Sequence, residues 1–549
     1  MLEKKDGVFD LVAIGRKHLK IVHRNLSTPL LYEQIIKNRE GQIAHLGPVV
    51  VRTGDYMQRP VTDKFVVRDE SSEKSILWSE KNKGIPENRF DNLLYRMLAY
   101  MQNKEAYVQY CWAGQDPDHR ASIRFVTEMA WHNLYIRNMF EPITDVEDFE
   151  SLVTDFSIIH IPGFHAMPDI DGTNSSAFVI INVSQKIMFI CGTSYAGEIR
   201  QAVFTIMNYL FPKKEVFPMR CSANAGEDGD VAIFIGRGGS GKSTLATDPK
   251  RCLVGDHEHG WTEKGLFSFE RGAYAKVLDI KQEDEPDIYE CTRKFGTVLE
   301  NVSIDLLTRR IERSDASLTE NIRAAYPLSH IPNSLKQGMC GHPSNLFLLT
   351  CDAFGVMPPV SKLTPEMAVF AFLSGYTSRL KEDQTMPDDA ECLFDTCFGS
   401  ASLTLPAHAY GLRLMEEIKK HNVKCWLVNT GWSGNQAGHG KRIPIAITRS
   451  IVDAVIAGQL DNVEYEPDPV FQFEVPCSCP GVPDEMLDPR KTATDAGDYE
   501  LRANRLAKEF MTDYARFSDL MPDNMRKLLS EVISMDDSFD LLGDLSFSM

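Results

Sequence analysis

A glycine-rich loop between an apolar run and a helix-forming segment is the feature that most constrains this chain. Residues 236–243 read Gly-Arg-Gly-Gly-Ser-Gly-Lys-Ser, a full match to the phosphate-binding pattern G-x-x-x-x-G-K-[ST]. Glycines let successive backbone N–H groups turn toward one centre, where they hold phosphate oxygens. The lysine would reach the β- and γ-phosphates, and the serine hydroxyl would ligate a magnesium ion. The residues predicted to bind the nucleotide here are Gly236, Gly238, Gly239, Ser240, Gly241, Lys242, Ser243 and Thr244.

The segments on either side of the loop favour a working phosphate site. The apolar run 231–235 predicts a buried strand that leads into the loop, and residues 243–246 can begin a helix. A second apolar run, 252–255, ends at Asp256, whose carboxylate could hold the magnesium through water. The sequence therefore predicts that the chain binds a nucleoside triphosphate with Mg²⁺. The alternative is a glycine-rich turn that has no ligand.

The composition limits which partners the chain can bind and in which cellular compartment we expect it. The chain has 549 residues and a formal net charge of −18, which disfavours non-specific binding to nucleic acid or to an anionic membrane. No apolar stretch has the length of a membrane span, and the N-terminus lacks the apolar core of a signal peptide. Twelve cysteines are too sparse for a disulfide scaffold, so we expect them to be reduced. We therefore expect a cytoplasmic protein.

The length of the chain is sufficient for two or three domains. The runs 178–183 and 186–191, separated by a short polar turn, predict a pair of strands. An acidic, proline-bearing segment predicts a mobile lid near 381–395. Residues 535–549 mix acidic groups with Phe and Leu, which is typical of either a docked terminal helix or a flexible tail. The sequence does not identify a protein partner for this tail.

Short segments in both halves of the chain carry a wider resemblance. They are AGQDP (113–117), TEMAWH (127–132), NMF (138–140), VGDHEHGW (254–261), YAK (274–276), LEN (299–301), ENIR (320–323), TCDAFGV (350–356) and VNTGW (428–432). In this order, over roughly residues 50–535, the chain resembles the ATP-dependent phosphoenolpyruvate carboxykinase family. The resemblance implies a two-domain α/β fold, with an N-terminal α/β domain (1–217), a C-terminal phosphate-loop mononucleotide-binding domain (218–534) and an active site in the cleft between them. It also implies a reaction in which oxaloacetate loses CO₂ and the enolate takes the γ-phosphoryl group of ATP.

The resemblance assigns roles to individual residues. Arg59 matches an arginine that holds the substrate carboxylate, and Tyr195 matches a tyrosine that contacts the substrate. Arg323, assisted by Lys276, would neutralise charge on the transferring phosphoryl group, since a planar guanidinium suits carboxylate and phosphate oxygens. The residues implied for the nucleotide, besides the loop, are Glu300, Arg442 and Thr448.

The sequence departs from the family pattern at the residues that bind a second metal. The family holds a catalytic manganese with a lysine, a histidine and an aspartate, and the aligned residues here are Gln201, Arg220 and His257; Arg200 replaces a further lysine. Arginine has no lone pair to donate, and an amide with one imidazole makes a poor manganese site. We therefore expect this site to be lost, so that Arg200 and Arg220 could bind an extra carboxylate, phosphate or phosphonate. Ser243 and Asp256, expected at the nucleotide magnesium, are retained.

Three functions remain open at this point. The main expectation is a diverged enzyme that transfers phosphate from ATP to another small anionic substrate, a carboxylate or a phosphonate-like compound. The first alternative is a genuine ATP-dependent phosphoenolpyruvate carboxykinase with an unusual or absent second metal. The second alternative is a non-catalytic nucleotide-binding protein, although the retained Arg59, Tyr195 and Arg323 argue against it.

Overall fold

The computed structural model describes residues 19–58, 63–80, 82–146, 149, 152–380 and 390–518. These residues form a mixed α/β structure, which confirms the predicted fold class. They divide into two compact units: unit 1 takes its described residues from 1–219, 247–340 and 401–405, and unit 2 from 220–246, 341–400 and 406–549. The boundary between 217 and 218 stays a prediction. No helix within the described ranges is both long enough and apolar enough to cross a bilayer.

The strands are short, and most are buried. In chain order they are β1 Ile21–Arg24, β2 Gly41–Ile43, β3 Val49–Val51, β4 Lys64–Arg68, β5 Lys83–Pro86, β6 Glu105–Ala113, β7 Ala121–Thr127, β8 Glu141–Pro142, β9 Phe156–Ile161, β10 Phe178–Asn182, β11 Ile187–Cys191, β12 Phe217–Met219, β13 Cys221–Ala225, β14 Val231–Gly236, β15 Cys252–Gly255, β16 His259–Thr262, β17 Gly265–Ser268, β18 Gly272–Lys276, β19 Val298–Glu300, β20 Ser303–Ile304, β21 Ile311–Glu312, β22 Arg323–Pro327, β23 Met339–Cys340, β24 Asn345–Thr350, β25 Val360–Leu363, β26 Tyr376–Leu380, β27 Ala390–Phe394, β28 Lys424–Asn429, β29 Tyr465–Pro467 and β30 Glu474–Pro476.

The helices vary from a single turn to 23 residues. They are α1 Thr28–Lys37, α2 Glu70–Ser75, α3 Glu87–Tyr100, α4 Ala130–Met139, α5 Pro168–Asp171, α6 Gly197–Leu210, α7 Lys242–Ala246, α8 Pro286–Cys291, α9 Pro365–Ser374, α10 Ala407–His421, α11 Ile445–Ile456, α12 Asp484–Leu487, α13 Pro489–Thr492 and α14 Ala496–Ser518, with 3₁₀ turns at Pro212–Lys214, Leu328–His330, Thr396–Phe398 and Ser400–Ser402.

The largest sheet of unit 1 has the strand order β1-β6-β7-β9-β11-β10-β4-β5, with β8 paired to β6. β10 and β11 form the antiparallel pair that the sequence predicts, with Phe178 opposite Cys191. Side chains alternate between the faces of a strand, so Ile158 of β9 enters one core cluster and Ile159 the other. α4 and α6 pack on the first face, and α3 packs on the second. A sheet covered on both faces explains why every residue of β9, β10 and β11 is buried and why β10 and β11 are mostly apolar.

A second sheet of unit 1 positions three of the predicted site residues. Its strand order is β18-β22-β19-β3-β2. β22 lies antiparallel to both neighbours, so that Arg323 faces Lys276 on β18 and Glu300 on β19. Directly opposed residues of antiparallel strands have neighbouring side chains on one face. The sheet therefore brings these three residues, which are distant in sequence, into one row.

Unit 2 is built on the parallel strands β14, β24 and β28, which are flanked by antiparallel β13 and β25. The register sets Gly236 opposite Leu349 and Thr350 opposite Asn429. Because the carboxyl ends of parallel strands meet at one edge of a sheet, the loops that follow these strands lie together. One of them turns around Asp352, whose carboxylate accepts backbone N–H groups at 2.7–2.9 Å.

Candidate active site

The phosphate loop of unit 2 has the backbone that its sequence predicts. It leaves the fully buried strand β14 and enters α7. Gly239 and Gly241 have φ values of 89° and 93°, a region that side chains other than glycine rarely adopt. A Cβ atom at Gly238 or Gly239 would meet nothing within 4 Å, so the concave side of the loop is open. This arrangement leaves backbone N–H groups accessible to phosphate oxygens.

The ammonium group of Lys242 lies inside the loop. Its Nζ donates to the carbonyl oxygen of Gly236 at 2.6 Å and to that of Arg237 at 3.1 Å, and the residue is 5% exposed. Carbonyl oxygens thus hold the buried ammonium group. Phosphate oxygens could take the place of these two carbonyl oxygens as acceptors from Nζ.

Two arginines from the later part of unit 2 contact this region. Arg442, predicted for the nucleotide, donates from Nε to the Thr430 carbonyl at 2.8 Å and from Nη2 to the Gly239 carbonyl at 3.4 Å. Arg449, for which the sequence predicts no role, donates from Nη2 to the Thr244 carbonyl at 3.3 Å. Thr448 lies beside it on α11 and is 1% exposed. The structure therefore brings Arg442 to the loop, and its proposed contact with the nucleotide remains a prediction.

In unit 1, Tyr274 joins the members of the row formed by Lys276, Arg323 and Glu300. Its hydroxyl donates to the Glu300 carboxylate. Its carbonyl accepts Nη1 of Arg323 at 3.3 Å, and the Arg323 guanidinium lies 4.9 Å from the centre of its ring. Arg323 Nε also donates to Asn321 Oδ1 at 2.9 Å, which fixes the plane of the guanidinium. Tyr274 is the first residue of the YAK segment (274–276), but the sequence predicts no role for it.

Burial and charge set the protonation of this cluster. Burial raises the pKa of the Glu300 carboxyl to about 7, although the Tyr274 hydroxyl and Arg323 lower it. Burial alone would lower the pKa of Arg323, but Tyr195, Tyr274 and Glu300 together raise it. Arg323 therefore remains a fixed cation, whereas the charge of Glu300 changes near neutral pH. Lys276 is exposed at the end of β18.

Tyr195 lies at the start of α6, with its ring centre 6.2 Å from that of Tyr274. A Cβ atom at Gly197 would come within 2.5 Å of the Tyr195 ring, so this position requires glycine. Two buried histidines hold the preceding backbone: His132 Nε2 lies 2.8 Å from the Ser194 carbonyl, and His160 Nε2 lies 2.8 Å from the Thr193 carbonyl. Since a carbonyl oxygen can only accept, both Nε2 atoms carry the proton.

Arg200 is part of a buried ion pair that sequence analysis did not foresee. Its guanidinium donates to both carboxylate oxygens of Glu270, with Nε 2.6 Å from Oε1, and the two side chains are 6% and 2% exposed. Burial would lower the pKa of Arg200, but the charge and hydrogen bonds of Glu270 raise it. The next residue, Gln201, has a buried Nε2 atom without a hydrogen-bond partner among the described residues. The predicted role of Arg200 in substrate binding stays a prediction.

The remaining predicted metal-site residues are distributed over both units. Asp256 follows β15 in unit 1 and is 4% exposed, and His257 Nε2 lies 4.0 Å from Glu258 Oε1. Arg220, in unit 2, donates from Nη1 to the Phe398 carbonyl at 3.4 Å. Within the described ranges, no group of three or more His, Cys, Asp or Glu residues could hold a metal ion.

Three sequence-based predictions fall outside the described residues. They are the role of Arg59, the central part of the lid (381–389) and the acidic tail (535–549).

The fold and the loop together define a phosphate-loop nucleotide-binding protein of the α/β class. The family model for phosphoenolpyruvate carboxykinase matches residues 20–485. The chain therefore belongs to the phosphoenolpyruvate carboxykinase family. Enzymes of this family use ATP and a divalent metal, so the predicted cofactors, ATP and Mg²⁺, are confirmed at the level of the family.

Relatives extend over nearly the full chain. Phosphoenolpyruvate carboxykinase (ATP) from Pelobacter propionicus is 47% identical over 504 residues, which cover 92% of this chain and 95% of that protein. The protein of the same name from Geobacter sp. (strain M21) is 46% identical over 503 residues, with the same coverage. That from Thermus thermophilus is 43% identical over 511 residues, covering 92% and 97%.

The main functional expectation from the sequence is wrong. Three changed positions suggested an enzyme that had moved to another anionic substrate, yet the relatives that bear the carboxykinase name match 92% of the chain at 43–47% identity. The carboxykinase alternative is the reading that these findings favour.

Proposed function

We propose that this chain is an ATP-dependent phosphoenolpyruvate carboxykinase, which converts oxaloacetate and ATP to phosphoenolpyruvate, ADP and CO₂. The observation that carries the proposal is the likeness, over 92% of the chain, to proteins of that name. The site geometry supports it. A phosphate loop with a buried lysine suits ATP, and a fixed guanidinium beside an exposed lysine suits the charge of a transferring phosphoryl group.

The reaction can be written with the residues of this chain. Lys242 and the loop amides hold the β- and γ-phosphates, while Arg59 and Tyr195 hold the substrate. The bond from C3 to the departing carboxylate breaks, CO₂ leaves, and the electron pair remains as an enolate. The enolate oxygen then bonds to the γ-phosphorus as the bond to ADP breaks. Arg323, assisted by Lys276, neutralises charge on the group in transit.

The nucleotide magnesium fits the donor atoms present. Ser243 offers a hydroxyl oxygen and Asp256 a carboxylate oxygen, and Mg²⁺ prefers such hard oxygen ligands. When bound, Mg²⁺ neutralises phosphate charge. Glu300, Arg442 and Thr448 are proposed to line the nucleotide site with the loop.

A second metal does not fit the residues at its family positions. We infer that Gln201, Arg220 and His257 do not hold manganese, because arginine has no lone pair and the other two offer one amide oxygen and one imidazole. The lack of a three-residue His, Cys, Asp or Glu cluster within the described ranges supports this inference. The buried amide of Gln201 is instead available as a donor to an anionic ligand.

Replacing the loop lysine tests the proposed role of ATP. Lys242→Ala should reduce phosphoenolpyruvate formation by about 10²–10³-fold, because it removes a charge from the transition state. A coupled assay with ATP, Mg²⁺ and oxaloacetate measures the rate. Lys74→Ala is the control, since Lys74 is an exposed lysine paired with Glu70. A Lys242→Ala enzyme with the wild-type rate would exclude this mechanism.

A further inference from the structure

A cavity in unit 1 lies outside the groups assigned to the reaction. Its volume is about 270 Å³. The side chains that matter for its chemistry are Gln115, Arg137, Asn138, Glu270, Arg271 and Lys336. They come from the AGQDP segment, the last turn of α4, the turn before β18 and the segment before β23. Glu270 is the member of this group that pairs with Arg200.

The cavity wall is cationic in a chain that is otherwise strongly acidic. Arg137, Arg271 and Lys336 line the cavity together with one carboxylate, Glu270, which is paired with Arg200. The net charge of the whole chain is −18, so a cavity lined by three cations differs in sign of charge from the chain as a whole. Such a cluster attracts anions in proportion to its local potential.

Two of the three cations have no ion-pair partner among the described residues. Arg137 and Lys336 make no hydrogen bond or ion pair with any residue that the structure describes. Arg271 differs, since its Nη1 lies 2.9 Å from Glu141 Oε1 in a pair that is exposed on both sides. Arg137 is half-buried and Lys336 is exposed, and neither cation has a charged partner among the described residues. An anion that enters the cavity would supply that partner.

The wall also offers a neutral donor on a rigid support. Gln115 Nε2 is buried and has no hydrogen-bond partner among the described residues. Its side chain packs against Gly338, where a Cβ atom would come within 2.6 Å of Gln115 Cγ. Asn138 is held by the carbonyls of Gly296 at 2.8 Å and Ala325 at 3.2 Å. A fixed amide donor beside two unpaired cations suits an oxyanion with several acceptor oxygens.

We propose that this cavity binds a small oxyanion, a phosphate or a carboxylate group of a metabolite, at Arg137, Lys336 and Gln115. Glu270 forms part of the cavity wall and also pairs with Arg200 on α6. Glu270 therefore connects an occupant of the cavity to Arg200. The site is distinct from the phosphate loop, which belongs to unit 2. Its occupation does not depend on the carboxykinase reaction, so the two proposals fail separately.

Calorimetric titration of the whole protein with inorganic phosphate tests the site. The titration is run at constant ionic strength, with Mg²⁺ and a saturating non-hydrolysable ATP analogue to fill the phosphate loop beforehand. We expect one saturable phosphate site in the wild type. The double variant Arg137→Gln/Lys336→Gln should bind phosphate at least about tenfold more weakly, since it loses both unpaired charges.

A matched control separates this site from a general effect of charge. Lys74→Gln/Lys264→Gln also removes two positive charges, from exposed lysines that pair with Glu70 and Asp118. It should bind phosphate like the wild type. The proposal is overturned if the wild type shows no saturable site, or if the Arg137/Lys336 variant binds phosphate as tightly as the control. Thermal unfolding without phosphate verifies that both variants fold.

Discussion

At the scale of single residues, the Tyr274 hydroxyl donates a hydrogen bond to the buried Glu300 carboxylate. Tyr274→Phe removes that hydroxyl and keeps the ring below Arg323. Because the hydrogen bond favours the charged carboxylate, its loss should raise the pKa of Glu300 above its present value of about 7. We expect the pH profile of kcat/KM to move to higher pH by about one unit.

A neighbouring tyrosine provides the control for this variant. The Tyr135 ring lies edge-on to Tyr274 at 5.3 Å, and its buried hydroxyl has no hydrogen-bond partner among the described residues. Tyr135→Phe therefore removes the same atom without breaking a bond, and its pH profile should match the wild type. Equal profiles for the two variants would show that the Tyr274 hydroxyl does not set the charge of Glu300.

At the scale of elements, the two buried histidines connect α4 and β9 to the backbone that carries Tyr195. His160→Leu should leave the Thr193 carbonyl unpaired and lower the free energy of unfolding by about 1–3 kcal/mol. His160→Gln retains an N–H donor and should lose less. Urea unfolding at pH 7.5 measures both. Equal losses for the two variants would mean that packing, not the hydrogen bond, accounts for the role of His160.

The same histidine gives stability a pH dependence with a definite sign. Burial lowers the pKa of His160 to about 4, below the ordinary value of 6.5, so the unfolded chain takes up the proton first. Its contribution is present above pH 6.5 and is lost as the pH falls toward 4. Glu300 acts in the opposite direction, since its raised pKa favours the folded state at low pH, but it is common to wild type and variant. His160→Gln should therefore show the smaller loss of stability between pH 7.5 and pH 5.

The ion pair between α6 and the turn before β18 should behave as a unit. Glu270→Gln or Arg200→Met removes one member of this buried pair and should cost about 3–5 kcal/mol of unfolding free energy. Arg200→Met/Glu270→Leu removes both charges, so its loss should be smaller than the sum of the two single losses. Denaturant unfolding of the wild type, the two single variants and the double variant gives the coupling free energy of the pair. Additive losses would mean that the pair does not act as a unit.

At the scale of the whole molecule, the sequence predicts those parts of the fold that depend on a local pattern of residues. The loop at 236–243 constrains its own backbone through glycine, and the apolar runs of β10, β11 and β14 determine buried strands. The order of the family segments predicts the fold class. These features depend on residues that are close in sequence or on a resemblance that spans the chain.

The contacts of the site were not predictable in the same way. Glu270 pairs with Arg200 across 70 residues, and Tyr274 reaches Glu300 across 26. No local pattern encodes such a pair, because packing and strand register bring its members together. The substituted positions Gln201, Arg220 and His257 led to a wrong substrate class for a related reason: a change at three ligands says little about the many contacts that remain.

The measurement that tests the central claim most directly is the product balance of the purified wild-type protein. Oxaloacetate, ATP and Mg²⁺ are supplied, and phosphoenolpyruvate, ADP and CO₂ are quantified over time. We predict equal amounts of the three products, and none above the background of spontaneous decarboxylation when ATP is omitted. Formation of ADP without phosphoenolpyruvate, or ATP binding without turnover, would contradict the assignment of this chain as an ATP-dependent carboxykinase.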